Sequence, residues 1–577
     1  FLSENAAFAA AVEAAGLVWV GPPPAAIAAM GDKARARRVA EAQGVPVVPG
    51  HEGDQDPAAL EAAASQLGFP VLIKAVAGGG GRGMRRVDAA SGFAEALASA
   101  RREAGSSFGD DRVIVERYVT RPRHIEVQVL ADRHGAVLSL GERECSIQRR
   151  HQKVVEEAPS PGVSAALRAE MGAAAVAVAR AVGYVGAGTV EFIVDASGRF
   201  YFLEMNTRLQ VEHPVTECVT GLDLVELQLR VAEGEPLPLT QDQVALRGHA
   251  IEVRLYAEDP SRGYLPGTGP LHRLHLPGGE GLRIDAGYAT GDVVSPHYDS
   301  MLAKLVAHGP DRATATRRLR GLVERAWAPG VVTNLPLLRQ ILAHPAWVEA
   351  DLDTAFLERV GLPVAPPLNL ERGALAATIL GVTERRPTLA GPSGWRMGGR
   401  AEQVDRWRCG SEQVEVWWTP TDDGATVRIG AATHAVRVVS RDGDAWVVAV
   451  DGVRQNWRMA RVPASPAHRT LDDGDLVYVH LGDGEAFVQL EPRFPERAEV
   501  AAEPGQCVAH TPGKVVFVAV AVGDVVAAGQ RLLTLEAMKM EHPVTAPEAG
   551  VVAELRVALG DAVSEGELLA RIAPVSG

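Results

Sequence analysis

The chain has 577 residues, 47% of them hydrophobic and 23% charged, which fits several globular domains rather than one small module. Its formal net charge of −14 disfavours general nucleic-acid binding, which needs a basic surface to displace counterions from phosphates. The longest apolar stretch, residues 173–190, is interrupted by Arg180 and several glycines, so no membrane span is expected, and no signal peptide is visible. The four cysteines, Cys145, Cys218, Cys409 and Cys507, lie far apart with no C-x-x-C pair, which argues against a zinc ribbon or disulfide scaffold and fits a reducing compartment. Lysine occurs only at positions 33, 74, 153, 304, 514 and 539, against 52 arginines. Where arginine meets the generic need for surface charge, these lysines become candidates for sites that require an ammonium.

The chain opens at Phe1, without Met, inside what reads as an amphipathic helix (FLSENAAFAAAVEAAG), so the natural amino terminus is expected upstream. Residues 70–87 (PVLIKAVAGGGGRGMRRV) read as an apolar strand, a glycine loop and a returning strand, with a helix beginning near Ser91. Gly78, Gly80 and Gly83 satisfy G-x-G-x-x-G, but a dinucleotide fingerprint needs a helix to start at the loop, and no Gly-Lys-Ser/Thr follows for a Walker loop. What remains is a glycine flap whose backbone N–H groups close over phosphates, with Lys74 on the preceding strand within reach of them. Further along, GERECSIQRRHQKVVEEAP (141–159) puts His151 and Lys153 in a basic patch with Arg149 and Arg150; such patches are more often solvated faces than sites. In residues 191–217, Glu191 and Glu204 lie on two strand-like runs separated by D-A-S-G, a hairpin signal, so both carboxylates are expected on one face with Asn206 beside them. Two carboxylates and an amide suit Mg²⁺, and Glu inside apolar strands is costly without a partner. Arg208, Gln210 and Glu212 then alternate, which on an extended segment places them on a shared face.

Proline-rich LPVAPPLNL (362–370) ends this first region. A helix (RGALAATILGV) and repeated short runs such as VEVWWT, HAVRVV and LVYVHL follow, separated by D-G turns, and read as a β-barrel-like adaptor with no catalytic constellation. The polar segment 491–505 reaches roughly 50 Å if extended, enough for the last domain to travel. In that domain a shift of 37 positions aligns Gly513 with Gly550, Val515 with Val552, Gly523 with Gly560, Asp524 with Asp561 and Leu532 with Leu569. The repeat predicts a small sandwich of two similar halves. Lys539, between two methionines, falls at the hairpin joining them, where a lysine is open to a modifying enzyme and carries a long prosthetic group outward.

The last domain resembles the biotinyl/lipoyl carrier family, and E536-A-M-K-M-E541 matches its biotin form, which implies biotin on Lys539. Ala509-His510-Thr511-Pro512-Gly513 departs from the family's usual Ala-Pro-Met-Pro-Gly. From the first residue to about position 360 the chain resembles the biotin carboxylase component of biotin-dependent carboxylases, with GGGGRGM, RRHQKVVEEAP, FLEMNTRLQVEHPVTE and HAIEVRLYAEDP in family order. The resemblance implies a multidomain α/β and β protein. Its parts are a remnant of the Rossmann-like first subdomain with its connection (1–45), the ATP-grasp lid (46–118), the carboxylase C-terminal subdomain (119–361), a β-barrel-like interaction domain (370–490), a linker (491–505) and a biotin carrier β-sandwich (506–575). Most of the first subdomain is expected before Phe1.

Residue by residue, the resemblance assigns Lys33, Lys74, Gly79, Gly80, Gly81, Gly83, Glu116, His124 and His151 to ATP, and Glu191, Glu204 and Asn206 to Mg²⁺, with Mn²⁺ as a substitute. It assigns Lys153, Arg208 and Val211 to bicarbonate, makes Glu212 the general base, and has Arg254 contact bicarbonate or biotin. Arg117 stands where relatives commonly have lysine. The implied activity is ATP- and bicarbonate-dependent carboxylation of carrier-bound biotin through carboxyphosphate. A separate carboxyltransferase β subunit, in an α6β6 hetero-oligomer, would handle the acyl-CoA, and a biotin protein ligase would attach the biotin. VVPGHEGDQDPAAL (47–60) and ADLDTAFLERV (350–360) resemble 3-methylcrotonyl-CoA carboxylase α subunits of leucine degradation, with propionyl-, geranyl- and acetyl-CoA and urea carboxylases as alternatives. The implied compartment is bacterial cytoplasm or mitochondrial matrix. A non-catalytic scaffold is the competing reading, and it predicts loss of the metal and base residues that are present.

Overall fold

The computed structural model describes residues 2–76, 84–149, 152–362, 370–384, 395–396, 399–400, 402–409, 411–463, 474–482, 484–491, 505–537 and 540–574. Gly79, Gly80, Gly81, Gly83, His151, Lys539 and nearly all of the 491–505 linker lie outside them. Among the described residues, no helix is long and apolar enough to cross a membrane.

Near the start of the chain, strands β1 (Gly50–His51), β2 (Val71–Ala75), β3 (Arg85–Val87) and β4 (Val113–Arg117) form an antiparallel sheet in the order β1-β4-β2-β3. Helices Pro57–Leu67 and Phe93–Phe108 accompany it. Asp56 starts the first of these, its carboxylate accepting from the Ala58 amide at 3.0 Å, with Pro57 at the position where a missing N–H costs nothing. Val71 and Ile73 join Leu60, Phe93 and Leu97 in the core. The two-residue strand period therefore turns Lys74 to the other face. The returning strand after the glycine loop and the later helix start agree with the sequence reading.

A larger antiparallel sheet follows: β5 (Arg123–Ala131), β6 (Val137–Arg149), β7 (Gln152–Ala158), β8 (Gly186–Val194), β9 (Phe200–Asn206), β10 (His249–Tyr256), β11 (Leu282–Ala286) and β12 (Met301–Gly309). Their order is β11-β12-β10-β7-β6-β5-β8-β9. One face is largely apolar, with Glu142, Glu144 and Glu157 of β6 and β7 buried on it and paired with Arg168, Arg123 and Arg312. Ile125, Val127 and Val129 of β5 and Val190 and Phe192 of β8 pack on helix Ala165–Ala181 through Met171, Ala175 and Val178. Ile251, Val253 and Leu255 of β10 pack on helix Arg312–Arg325 through Leu319, Leu322 and Val323. The intervening positions are polar and still buried: Glu126, Gln128, Thr189, Glu191, Glu252 and Arg254. A buried polar face has to be paired within itself or by a ligand. Helix α1 (Lys33–Ala42), capped by Asp32 accepting from the Arg35 amide at 2.8 Å, and helix α2 (His213–Thr220) lie at the ends of this polar region.

Helix α3 (Leu370–Glu384) and a closed barrel of eight strands, running from Gln403–Cys409 to Glu485–Leu490, make the next body. Every residue of α3 from Gly373 to Val382 is buried, and its Ala376, Ala377, Ile379 and Leu380 share one cluster with Trp407, Val416, Trp418, Val427, Trp446 and Val488 of the strands. A helix covered on all sides belongs inside its domain; α3 fills the barrel, with Trp407 Nε1 donating to Thr378 Oγ1 at 2.9 Å. The barrel meets the carboxyl-terminal part of the large-sheet domain through Arg339 Nη2 and Glu485 Oε1 at 2.7 Å.

The last body is two four-stranded sheets. Its strands repeat at the interval read from the sequence: Gly513–Val518 with Gly550–Leu555, Val525–Val526 with Ala562–Val563, and Arg531–Ala537 with Leu568–Ala573. The hydrogen bonds repeat too, since Gly523 N donates to Val552 O and Gly560 N to Val515 O, both at 2.8 Å. Gly523 and Gly560 take φ of +100° and +97°, which a side chain would strain. The hairpin pairs Ala537 with Met540, so only Met538 and Lys539 lie between its strands.

Candidate active site

The polar sheet face opens on a cavity of about 620 Å³, and every sequence-assigned site residue that is among the described residues, from Lys33 to Arg254, lines it. Three groups of side chains divide it.

At one end, Lys33 begins α1, and burial lowers its pKa against the pull of Glu204. Lys74 Nζ sits 2.5 Å from Glu116 Oε2, and Arg37 Nη1 is 3.0 Å from Glu116 Oε1. One carboxylate thus holds two cations at this end of the cavity, where polyanionic phosphates would meet positive charge.

In the middle, Glu191 of β8 and Glu204 of β9 are direct cross-strand partners, as the hairpin signal implied, and Asp195 closes the turn, accepting from Gly198 N at 2.9 Å. Asn206 Nδ2 and Gln210 Nε2 donate to Glu191 Oε1 at 2.8 and 2.9 Å, and His124 Nε2 lies 2.9 Å from Glu191 Oε2. Burial opposes ionisation of Glu191, but Lys153 and His124 outweigh it and hold its pKa well below the usual range. Burial and the facing Glu191 push Glu204 up; Glu204 borders the cavity and is only partly covered, so water relieves part of that cost. A hard divalent cation with oxygen preference answers this like-charge pair, and the two carboxylates with the Asn206 carbonyl oxygen fit Mg²⁺.

At the far end, Lys153 Nζ contacts Glu126, lies 3.1 Å from Glu191 Oε1 and donates to Glu212 Oε1 at 2.6 Å. Arg254 Nη2 donates to Glu212 Oε2 at 2.8 Å and its Nε to Glu156 Oε1 at 2.6 Å. Burial works against the Lys153 charge, yet Glu126, Glu191 and Glu212 raise its pKa well above the ordinary value. Burial likewise opposes Glu212, but Lys153, Arg254 and Arg143 carry it well below the carboxylate range, so Glu212 is ionised and only weakly basic while both cations hold it. Arg208 Nε donates to Glu4 Oε2 at 2.9 Å and its Nη2 to Asn206 Oδ1 at 3.1 Å. The Val211 carbonyl accepts from Lys304 Nζ at 3.1 Å.

The extended alternation expected for Arg208, Gln210 and Glu212 does not hold. The chain leaves β9 at Asn206, bends, and turns into α2, where Glu212 is the N-cap residue with φ −80° and ψ 7°. The three side chains reach one cavity through a loop, because the helix start, not strand pleating, aims Glu212. Arg149 is also no solvated patch: it is buried against Glu258 at 3.1 Å and over the Tyr264 ring at 4.4 Å.

Sequence reasoning gave no role to Glu126 or Arg143. Arg143 is fully buried and donates to Glu126, Gln128, Thr216, Thr189 and Gln210 at 2.6 to 3.2 Å, tying three strands to α2 and the catalytic-side loop. The available signal was HIEVQVL (124–130), where Glu126 and Gln128 interrupt an apolar strand at the two-residue period and demand a buried partner.

Four family models match: carbamoyl-phosphate synthase L chain ATP-binding domain at 32–240, biotin carboxylase C-terminal domain at 252–359, the BT domain of the methylcrotonyl-CoA carboxylase α subunit at 370–493, and biotin-requiring enzyme at 500–572. The chain is 41% identical over 596 residues to the mitochondrial methylcrotonoyl-CoA carboxylase subunit α of Dictyostelium discoideum, spanning 99% of this chain and 84% of that protein. It is 42% identical over 620 residues to the propionyl-CoA carboxylase α chain of Ruegeria pomeroyi, spanning 99% and 87%. Among solved structures, the biotin carboxylase domain of Hydrogenobacter thermophilus 2-oxoglutarate carboxylase, bound to MgADP and bicarbonate, aligns with a TM-score of 0.61 and 42% identity over 63% of this chain and 80% of that one. With its ATP-grasp carboxylase fold, its BT barrel and its biotin-lipoyl carrier domain, the chain belongs to the α subunits of biotin-dependent acyl-CoA carboxylases, ligases that use ATP, Mg²⁺ and biotin and carboxylate the biotin.

Proposed function

We propose that the cavity carboxylates biotin by a division of labour among the three groups of side chains, and that the complete enzyme acts on 3-methylcrotonyl-CoA. Lys33, Lys74, Glu116 and His124, together with the glycine loop and His151, hold ATP. Lys153, Arg208 and the Val211 backbone hold bicarbonate against Glu212, which takes its proton as the bicarbonate oxygen attacks the γ-phosphorus to form carboxyphosphate. Glu191, Glu204 and Asn206 would hold Mg²⁺, which when bound would supply positive charge to offset that on the transferring phosphoryl group. Carboxyphosphate would break into CO₂ and phosphate, the phosphate would take the N1′ proton of biotin as N1′ bonds CO₂, and Arg208 would stabilise the negative charge that develops on the biotin oxygen. The observation that carries this reading is Lys153, whose one ammonium lies 2.6 Å from Glu212 and 3.1 Å from Glu191. An anion that takes up Lys153 frees Glu212 from its strongest pull and lifts its basicity toward neutral pH.

The match of 370–493 to the methylcrotonyl-CoA carboxylase BT domain supports the acyl group and a β carboxyltransferase partner. Biotin on Lys539 requires a biotin protein ligase. The compartment follows the relatives, mitochondrial matrix or bacterial cytoplasm. Bicarbonate-dependent ATP cleavage by full-length protein should rise on adding free biotin; no stimulation favours a scaffold without chemistry. With the β partner, a panel of acyl-CoA substrates should give the highest kcat/KM for 3-methylcrotonyl-CoA, and a preference for propionyl-CoA would reassign the acyl group.

A further inference from the structure

Behind Arg254 lie two carboxyls that the chemistry above does not use. Glu156 of β7 and Glu252 of β10 are direct cross-strand partners, and neither exposes any surface. Side chains at facing positions of an antiparallel pair stand with Cβ atoms about 4.5–5.5 Å apart. Glu156 Oε1 accepts from Arg254 Nε, but among the described residues Glu156 Oε2 and both oxygens of Glu252 meet no hydrogen-bond donor. Helix α2 seals the place, with Val215 and Val219 packed on Ala158, Ala250 and Val306 around it.

The charged and titratable neighbours cannot satisfy both carboxylates. Lys153 of β7 is taken by Glu126, Glu191 and Glu212, and Lys304 of β12 by Asp285 at 3.2 Å and the Val211 carbonyl. Glu212, at the head of α2, adds a further negative charge, and Cys218 of α2 is a neutral thiol whose pKa burial raises. Tyr256, beyond Arg254 on β10, is a neutral phenol. One guanidinium, itself shared with Glu212, therefore faces two buried carboxyls. Ionised carboxylates only accept hydrogen bonds, whereas a proton on one of the two makes it a donor to the other.

We propose that Glu156 and Glu252 hold one proton between them, Glu252 donating to Glu156 Oε2, and that this pair positions Arg254 so that its Nη2 braces the Glu212 carboxylate. The burial and charge pattern agrees: burial pushes Glu156 up to about 7 against the pull of Arg254, and burial with the facing Glu156 raises Glu252 well above the carboxylate range. The pair then carries a single negative charge opposite Arg254. The positioning role rests on Glu212 being the base; the shared proton does not.

Infrared difference spectra of full-length protein should show the C=O stretch of a buried protonated carboxyl that Glu252→Gln removes, because the amide supplies the hydrogen in its place. Should that variant not fold, Glu156→Gln removes the same band for the same reason. A parent without such a band overturns the shared proton. A carboxyl with a raised folded pKa keeps a proton that the unfolded chain has lost, so the contribution of Glu252 to stability falls as pH rises from about 4.5 toward its raised folded value. Parent stability relative to Glu252→Gln should therefore decline across that window, and parallel curves overturn the proposal. Glu252→Leu, with neither donor nor acceptor, should lower kcat for biotin-dependent ATP cleavage by about tenfold at unchanged KM for ATP, and Glu252→Gln should recover the rate to within about twofold. Equal loss in both variants overturns the positioning role. If Glu212→Gln keeps the parent rate while the infrared band persists, the base assignment and the bracing of Glu212 fail and the shared proton stands.

Discussion

Single residues carry the chemistry here because several charged groups in the cavity are held by an opposite charge from a distant segment of the chain. Glu212 is the clearest case: Lys153 and Arg254 approach its two oxygens at 2.6 and 2.8 Å, from β7 and β10. Glu212→Gln keeps the shape but puts an NH₂ donor where one of the two accepting oxygens faced Lys153 or Arg254, and it removes the proton acceptor, so ATP binding should persist while biotin-dependent turnover falls by about 10²–10⁴-fold. Parent-like turnover near neutral pH would place the base elsewhere. At this scale much was legible. Glu inside an apolar strand-like run, an amide two residues after a carboxylate, and six lysines in an arginine-rich chain are statements about residue type. Arg143 was not legible, because an arginine in GEREC looks like any surface cation until five acceptors from other segments surround it.

Elements turn periodicity into position. The two-residue period of β5, β8 and β10 sends valine, isoleucine and phenylalanine to the helices and glutamate, glutamine and arginine to the opposite face, on which the cavity opens. Helix α3 was visible as RGALAATILGV, and the barrel strands as alternating runs, but neither pattern says that the helix lies inside the strands. Its small residues allow it: a Cβ on Gly373 would stand 3.1 Å from the Ala486 Cβ and 3.3 Å from a Val488 methyl. Ala377 is fully buried in the same cluster. Ala377→Leu should overfill the barrel and destabilise it by about 1–3 kcal/mol, read as a lower urea midpoint of the barrel transition. Biotin-dependent ATP cleavage should not change, and an unmoved midpoint would mean that the helix packs loosely.

For the whole molecule, the candidate carboxylation cavity lies in one body and the biotin-lipoyl domain, with the lysine proposed to carry biotin, is another. Lys539 falls between the two copies of the repeat in a chain that otherwise prefers arginine. Biotin attachment needs an amine that loses its proton, which a guanidinium with a pKa above about 12 does not. Lys539→Arg should preserve the carrier fold and turnover of free biotin, abolish the biotin adduct in intact mass after co-expression with a biotin ligase, and abolish acyl-CoA carboxylation with the β partner. An adduct persisting on the variant would put the attachment site elsewhere. The sequence by itself determined the carrier repeat, the glycine loop between strands, the Glu191/Glu204 hairpin and the residue types of the cavity, because each depends on neighbours within a few positions or on a fixed repeat interval. Only the tertiary structure decided that α3 fills the barrel, that a loop and helix start rather than a strand aim Glu212, and that Glu156 faces Glu252 without a donor. These depend on which distant segments become neighbours, and the burial that then raises or quenches a charge exists only once they have met.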